Sequence, residues 1–194
     1  MRPRPNLVCE ISDFNAMTIT ALDAGLYALA LLILFLTPGP VWVALIARAM
    51  SGGFNAAWPL ALGVVVGDIL WPLLAIFGVA WIVGIYEGFL DALRWVACAM
   101  FIVMGVLLIR TAGKTIASDS RLTRPGMWAG FVAGLVVILS NPKAVLFYMG
   151  LLPGFFDIAS LSTLEIVAIC FLSLLVPLVG YLCLAVFVDR ARRL

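Results

Sequence analysis

Leu36-Thr37-Pro38-Gly39-Pro40-Val41 lies inside a long apolar run, from about Ala24 to Ala47. No helix continues undisturbed through it. Pro38 has no N–H to offer the carbonyl of Leu34, and Pro40 has none for that of Leu36. In lipid, such freed carbonyls must find other partners, so a break of this kind survives only against protein or a water-filled cavity. A second break, Ser140-Asn141-Pro142-Lys143, interrupts another apolar run, from about Met127 to Leu152.

Outward from these breaks the chain is apolar throughout. It has 194 residues, 65% hydrophobic and 11% charged, with a mean hydropathy of +1.20. This composition predicts an all-α polytopic membrane protein. A net charge of +2 argues against a nucleic-acid partner, and the lack of histidine argues against haem, zinc and imidazole chemistry. Cys9, Cys98, Cys170 and Cys183 have no CxxC spacing and read as small apolar residues. No enzymatic activity, metal or cofactor is expected.

The remaining apolar runs are about Trp58 to Val83, Leu93 to Ile109 and Leu164 to Val188, giving five spans. Runs one and four both break near their middle at a polar residue plus proline, and cross in opposite directions. That pattern predicts an inverted-repeat helical bundle on a three-plus-three plan, with five spans present and a sixth absent. Residues 1–21 read as a disordered N-terminal extension, with Met17 an alternative start. Residues 22–112 form the first repeat, 113–125 a basic cytoplasmic loop, and 126–194 an incomplete second repeat. A homodimer would cover the face left open.

Arg48, Arg110, Lys114, Arg121, Arg124, Arg190, Arg192 and Arg193 fall on one side, against Arg2, Arg4 and Arg94 on the other. With five spans, the positive-inside rule then predicts an outside N-terminus and a cytoplasmic C-terminus.

Thr37-Pro38 and Asn141-Pro142 share the order of an N-cap followed by proline at the first helical position. Each half-helix beginning there presents unpaired N–H groups and partial positive charge, suited to a solute carboxylate. Thr37, Pro38, Gly39, Pro40, Asn141, Pro142 and Lys143 are therefore the expected solute-binding residues. The plainer alternative is a pair of proline kinks. Lys143 is costly at mid-membrane and needs an offset, unless it snorkels to an interface. Asp68, near the middle of run two, is the expected counter-charge and proton carrier; a purely structural Asp68–Lys143 pair is the alternative. Gly63 and Gly67, and Gly130 and Gly134, form two GxxxG motifs expected to pack helices.

Thr-Pro-Gly-Pro at 37–40, Gly63-x3-Gly67-Asp68, and Asn141-Pro142-Lys143 followed by Phe147 together resemble the LysE/RhtB family of amino-acid exporters. The resemblance spans about Leu22 to Arg193. It implies a bacterial inner-membrane protein that exports amino acids or similar small metabolites, by exchange with protons, from a six-helix inverted-repeat bundle. Its partners would be an amino-acid-like solute, protons and the bilayer. A cation exporter of a related fold and a truncated, non-transporting membrane protein are the competing readings.

Overall fold

The computed structural model describes residues 19–79 and 126–194, with isolated helical positions between 95 and 110. The expected N-terminal extension as far as residue 18, most of run three and the basic loop lie outside the described residues.

Helix α1 (Ala21–Leu36) and helix α2 (Pro40–Gly52) follow one another across the first break with a bend of 59°. Helix α3 (Phe54–Leu74) continues through a π-helical turn, Ala75–Val79. Helix α4 (Met127–Leu139) meets helix α5 (Pro142–Leu146) at the second break. A π-helical turn (Phe147–Leu151) and the short helix α6 (Leu152–Phe155) follow, and the span is bent by 51°. Helix α7 (Thr163–Ala191) runs 29 residues through Pro177 without interruption. By length and apolarity, α3 with its π turn and α7 can each cross a bilayer alone, and each bent pair can do so as one span. The protein is an all-α, multi-pass membrane protein.

Local chemistry explains where α1 and α7 begin. Thr20 and Asp23 form a capping box, as do Ser162 and Glu165. Glu165, fully buried, also accepts a hydrogen bond from the Ile19 N–H at 2.8 Å. This bond places the starts of α1 and α7 at the same end of the bundle.

The opposite end gathers around Gly53, which takes φ +72° between α2 and α3. A side chain there would be strained by its backbone and would collide with Arg192 and Asp189 at the end of α7. Arg48 closes the same end. Although its sequence context suggests a loop charge, it is only 2% exposed. Its Nε donates to the Ala56 carbonyl at 2.6 Å and its Nη2 to the Gly126 carbonyl at 2.8 Å. It thus ties the α2–α3 turn to the start of α4. Arg48→Met should leave two carbonyls without these donors, at about 1–3 kcal/mol each. Melting of the purified variant in detergent should show a clear loss of stability.

These contacts fix directions. α1–α2 runs from the Ile19 end to the Gly53 end, and α4–α5–α6 runs back. The two broken spans are antiparallel, and each break lies thirteen helical residues from the Gly53 end, or about 20 Å. Asp68, in the middle of α3, lies at a similar depth.

Between α3 and α4 the helices approach backbone to backbone. A Cβ on Gly63 would strike the Phe131 carbonyl, and one on Gly134 would strike that of Leu60. Gly67 faces the side chain of Ile138, and Gly130 faces Arg48.

Candidate solute site

The carbonyl that Pro38 orphans is that of Leu34. Lys143 supplies the replacement donor: its Nζ lies 2.8 Å from the Leu34 oxygen and also bonds the Thr37 carbonyl. The neighbouring Phe35 carbonyl accepts from the Trp42 indole at 2.6 Å. A positive ammonium therefore sits at the negative C-terminal end of α1, where the helix dipole favours it. This pairing offsets part of the cost of a lysine at mid-depth. The second break is treated alike. Pro142 cannot give the Ile138 carbonyl its helical N–H, and that carbonyl accepts instead from the Asn141 N–H at 3.1 Å and from the Trp71 indole of α3 at 3.3 Å. Both breaks are stitched by side chains from other spans.

The first break divides differently from its sequence expectation. Thr37 ends α1 rather than capping α2: its N–H and its hydroxyl both return to the Ile33 carbonyl. Gly39 is the N-cap of α2, and Pro40, not Pro38, is the first helical residue. The cause is the double proline. A residue preceding proline is pushed out of the helical region, so Thr37 and Gly39 are both extended, with ψ 113° and −169°. At the second break Asn141 is the N-cap of α5, its side chain accepting from the Lys143 N–H at 3.2 Å, and Pro142 follows at the first position.

Lys143 and Asp68 do not form an ion pair among the described residues, although each lies within electrostatic reach of the other. The ammonium is held by carbonyls instead. Asp68 is buried; its Oδ1 faces the Tyr148 hydroxyl at 3.5 Å, a long contact, and its Oδ2 has no partner among the described residues. Gly39 packs beside Lys143, which would lie 3.5 Å from a Cβ placed there.

A cavity of about 330 Å³ opens at Lys143. Thr37 and Lys143 are its polar lining residues; Ala30, Ile33, Leu34, Phe147 and Leu151 supply the apolar wall. Beyond Asp68 lie further polar groups, of which sequence reasoning passed over Tyr27 and Ser173. Tyr27 Oη lies 2.7 Å from Ser173 Oγ, and both residues are fully buried. Tyr181, also buried, packs edge-on against Phe35 at 5.3 Å. The available signal was a single hydroxyl in each of several apolar runs, which is weak until the spans are placed together.

Residues 32–194 match the family described as LysE type translocator. The chain belongs to the LysE type translocator family. Among relatives of this translocator is an uncharacterized membrane protein of Synechocystis sp., 34% identical over 146 residues that cover 75% of this chain and 70% of the relative. Leucine efflux proteins of Salmonella choleraesuis and Salmonella typhimurium are each 26% identical over 160 residues, covering 77% of this chain and 76% of theirs. No solved structure gives a significant match. Membership and the multi-pass fold together support a transporter.

Proposed function

We propose that this translocator exports amino acids or related small metabolites across a bacterial inner membrane in exchange for protons. The observation that carries this reading is the junction at mid-depth. Two antiparallel broken spans meet through Lys143, beside a buried carboxylate with one unsatisfied oxygen. Such irregular backbone is tolerated where it lines a site, and paired half-helices at the midplane suit a solute that must be reached from both sides. In this reading Lys143 and the half-helix starts at Gly39-Pro40 and Asn141-Pro142 receive the carboxylate, with Thr37 and Pro38 completing the first break. The apolar cavity receives an aliphatic side chain, in keeping with relatives named leucine efflux proteins. Asp68 carries the proton.

The matched breaks further support an inverted repeat, with residues 22–112 and 126–194 as its halves. Arg48, Arg190, Arg192 and Arg193 cluster at the Gly53 end, which we assign to the cytoplasm.

Inside-out vesicles holding the protein should accumulate leucine when their lumen is acidified, and collapse of the pH gradient should stop accumulation. Cells expressing it should survive a leucine-dipeptide load better than controls. Asp68→Asn should remove both effects while the protein still reaches the membrane. Equal protection by wild type and Asp68→Asn would overturn the site assignment.

A further inference from the structure

Asp68 is 2% exposed, and among the described residues its carboxylate lacks the paired cation that burial demands. The groups packed around it can be named. Tyr148 approaches from the π turn, and Tyr27 of α1 and Tyr181 of α7 lie within electrostatic reach of the carboxylate, as does Lys143 of α5. On α3 itself Asp68 is the only charged residue. Lys143, the one cation in this set, donates to the Leu34 and Thr37 carbonyls.

The hydrogen-bond directions sharpen the picture. Ser173 Oγ donates to the Ile169 carbonyl at 2.8 Å, so Tyr27 is the donor in its bond to Ser173. Tyr148 directs its proton towards Asp68 Oδ1. What remains open at this point, among the described residues, is acceptor capacity on Oδ2 of Asp68. An alkylammonium group carries three N–H donors and no acceptor, and it matches this set. A proton placed on Oδ2 would remove both the charge and the best acceptor.

We propose that Asp68 is the ammonium-binding half of the solute site, and that the solute's ammonium and the transported proton occupy it alternately and never together. Tyr148 is its positioning residue. This rests on the exporter reading and deepens it in two ways. The solute must carry a free amine, so N-acylated and deaminated analogues are excluded. Exchange with protons follows from competition for one carboxylate: release of the solute on one side frees the group that takes up the proton.

The test uses the full chain in weakly buffered nanodiscs, from mildly acid to mildly alkaline pH. The probes are L-leucine and 4-methylpentanoate, which keeps the carboxylate and the branched chain but has no amine. Leucine should bind more weakly as pH falls, because protons then occupy Asp68, and its binding at acid pH should eject close to one proton per molecule. 4-Methylpentanoate should bind with no proton ejected. Asp68→Asn should abolish ejection and weaken leucine binding about tenfold or more, as expected for loss of a bond to a charged group, while leaving 4-methylpentanoate unchanged. Tyr148→Phe should weaken leucine binding several-fold and leave the proton stoichiometry intact.

Equal proton ejection by the two probes overturns the proposal. So does leucine binding that is independent of pH, or unaffected by Asp68→Asn. If no amino acid binds and none is exported, the exporter reading itself falls, and the proposal with it.

Discussion

Lys143→Met is expected to abolish leucine export from proteoliposomes while leaving the melting temperature in detergent close to wild type. Two effects oppose one another in stability. Removing the ammonium leaves the Leu34 and Thr37 carbonyls without their donor, which costs about 1–3 kcal/mol for each. Against this, a lysine at the centre of a span costs about 2.5–3.5 kcal/mol on insertion scales, and methionine does not. The terms are of similar size, so the fold should persist. Export has no such compensation, because methionine offers a carboxylate nothing. Lys143→Arg separates charge from shape. A guanidinium can still bond both carbonyls, but it must fit where Gly39 already packs against the lysine tip. It should preserve folding and restore little export. A Lys143→Met protein that exports at the wild-type rate would show that the residue only staples the two breaks together.

Much of this was legible because proline acts locally. A proline removes one N–H at a fixed position, so the chain order alone ties Pro38 to the Leu34 carbonyl and Pro142 to that of Ile138. What the sequence could not supply was the identity of the replacement donors. Lys143 and Trp71 come from spans distant in the chain, and hydropathy says nothing about which side chains meet. The same gap explains the expected Asp68–Lys143 ion pair. Two opposite charges in apolar runs suggest each other, but a helix C-terminus left open by proline is also a partner for a cation, and it lies nearer the ammonium.

Arg48 shows a related limit. Its place beside a glycine turn reads as a solvated loop charge, yet the turn folds back and its guanidinium donates to two backbone carbonyls. The capping boxes at Thr20–Asp23 and Ser162–Glu165 were local and available. They are easily missed when span limits are drawn from hydropathy alone. The resemblance carried by residues 37–40, 63–68 and 141–147 agrees with the family match over residues 32–194, since short motifs held at mid-depth on three spans are a strong joint constraint.

The second large effect is expected at the α3–α4 crossing. A Cβ on Gly63 meets the Phe131 carbonyl and lies 2.9 Å from the Leu135 nitrogen; one on Gly134 meets the Leu60 carbonyl and lies 3.0 Å from the Val64 nitrogen. These obstacles are backbone atoms and cannot swing aside. Gly63→Ala or Gly134→Ala should each lower stability by about 1–3 kcal/mol, the usual cost of overpacking. Gly63→Leu should yield no folded protein. Because both alanines push the same two helices apart, the double variant should cost less than the sum of the singles, a departure from additivity that melting in detergent can measure. Gly25→Ala is the control: nothing lies within 4 Å of its would-be Cβ, and it should be neutral or slightly stabilising.

Gly67→Ala differs from all of these. Its obstacle is the side chain of Ile138, which is β-branched and stiff at χ1 in a helix, so relief must come from a small local shift of α3 against α4 rather than from a change of rotamer. That residue is also the one whose carbonyl accepts from Trp71, one helical turn from Asp68. Gly67→Ala should therefore cost less stability than the two backbone-blocked sites but shift Asp68 relative to Tyr148, lowering leucine export several-fold. Equal losses of stability and export across Gly63, Gly67 and Gly134 would mean that the crossing serves packing alone.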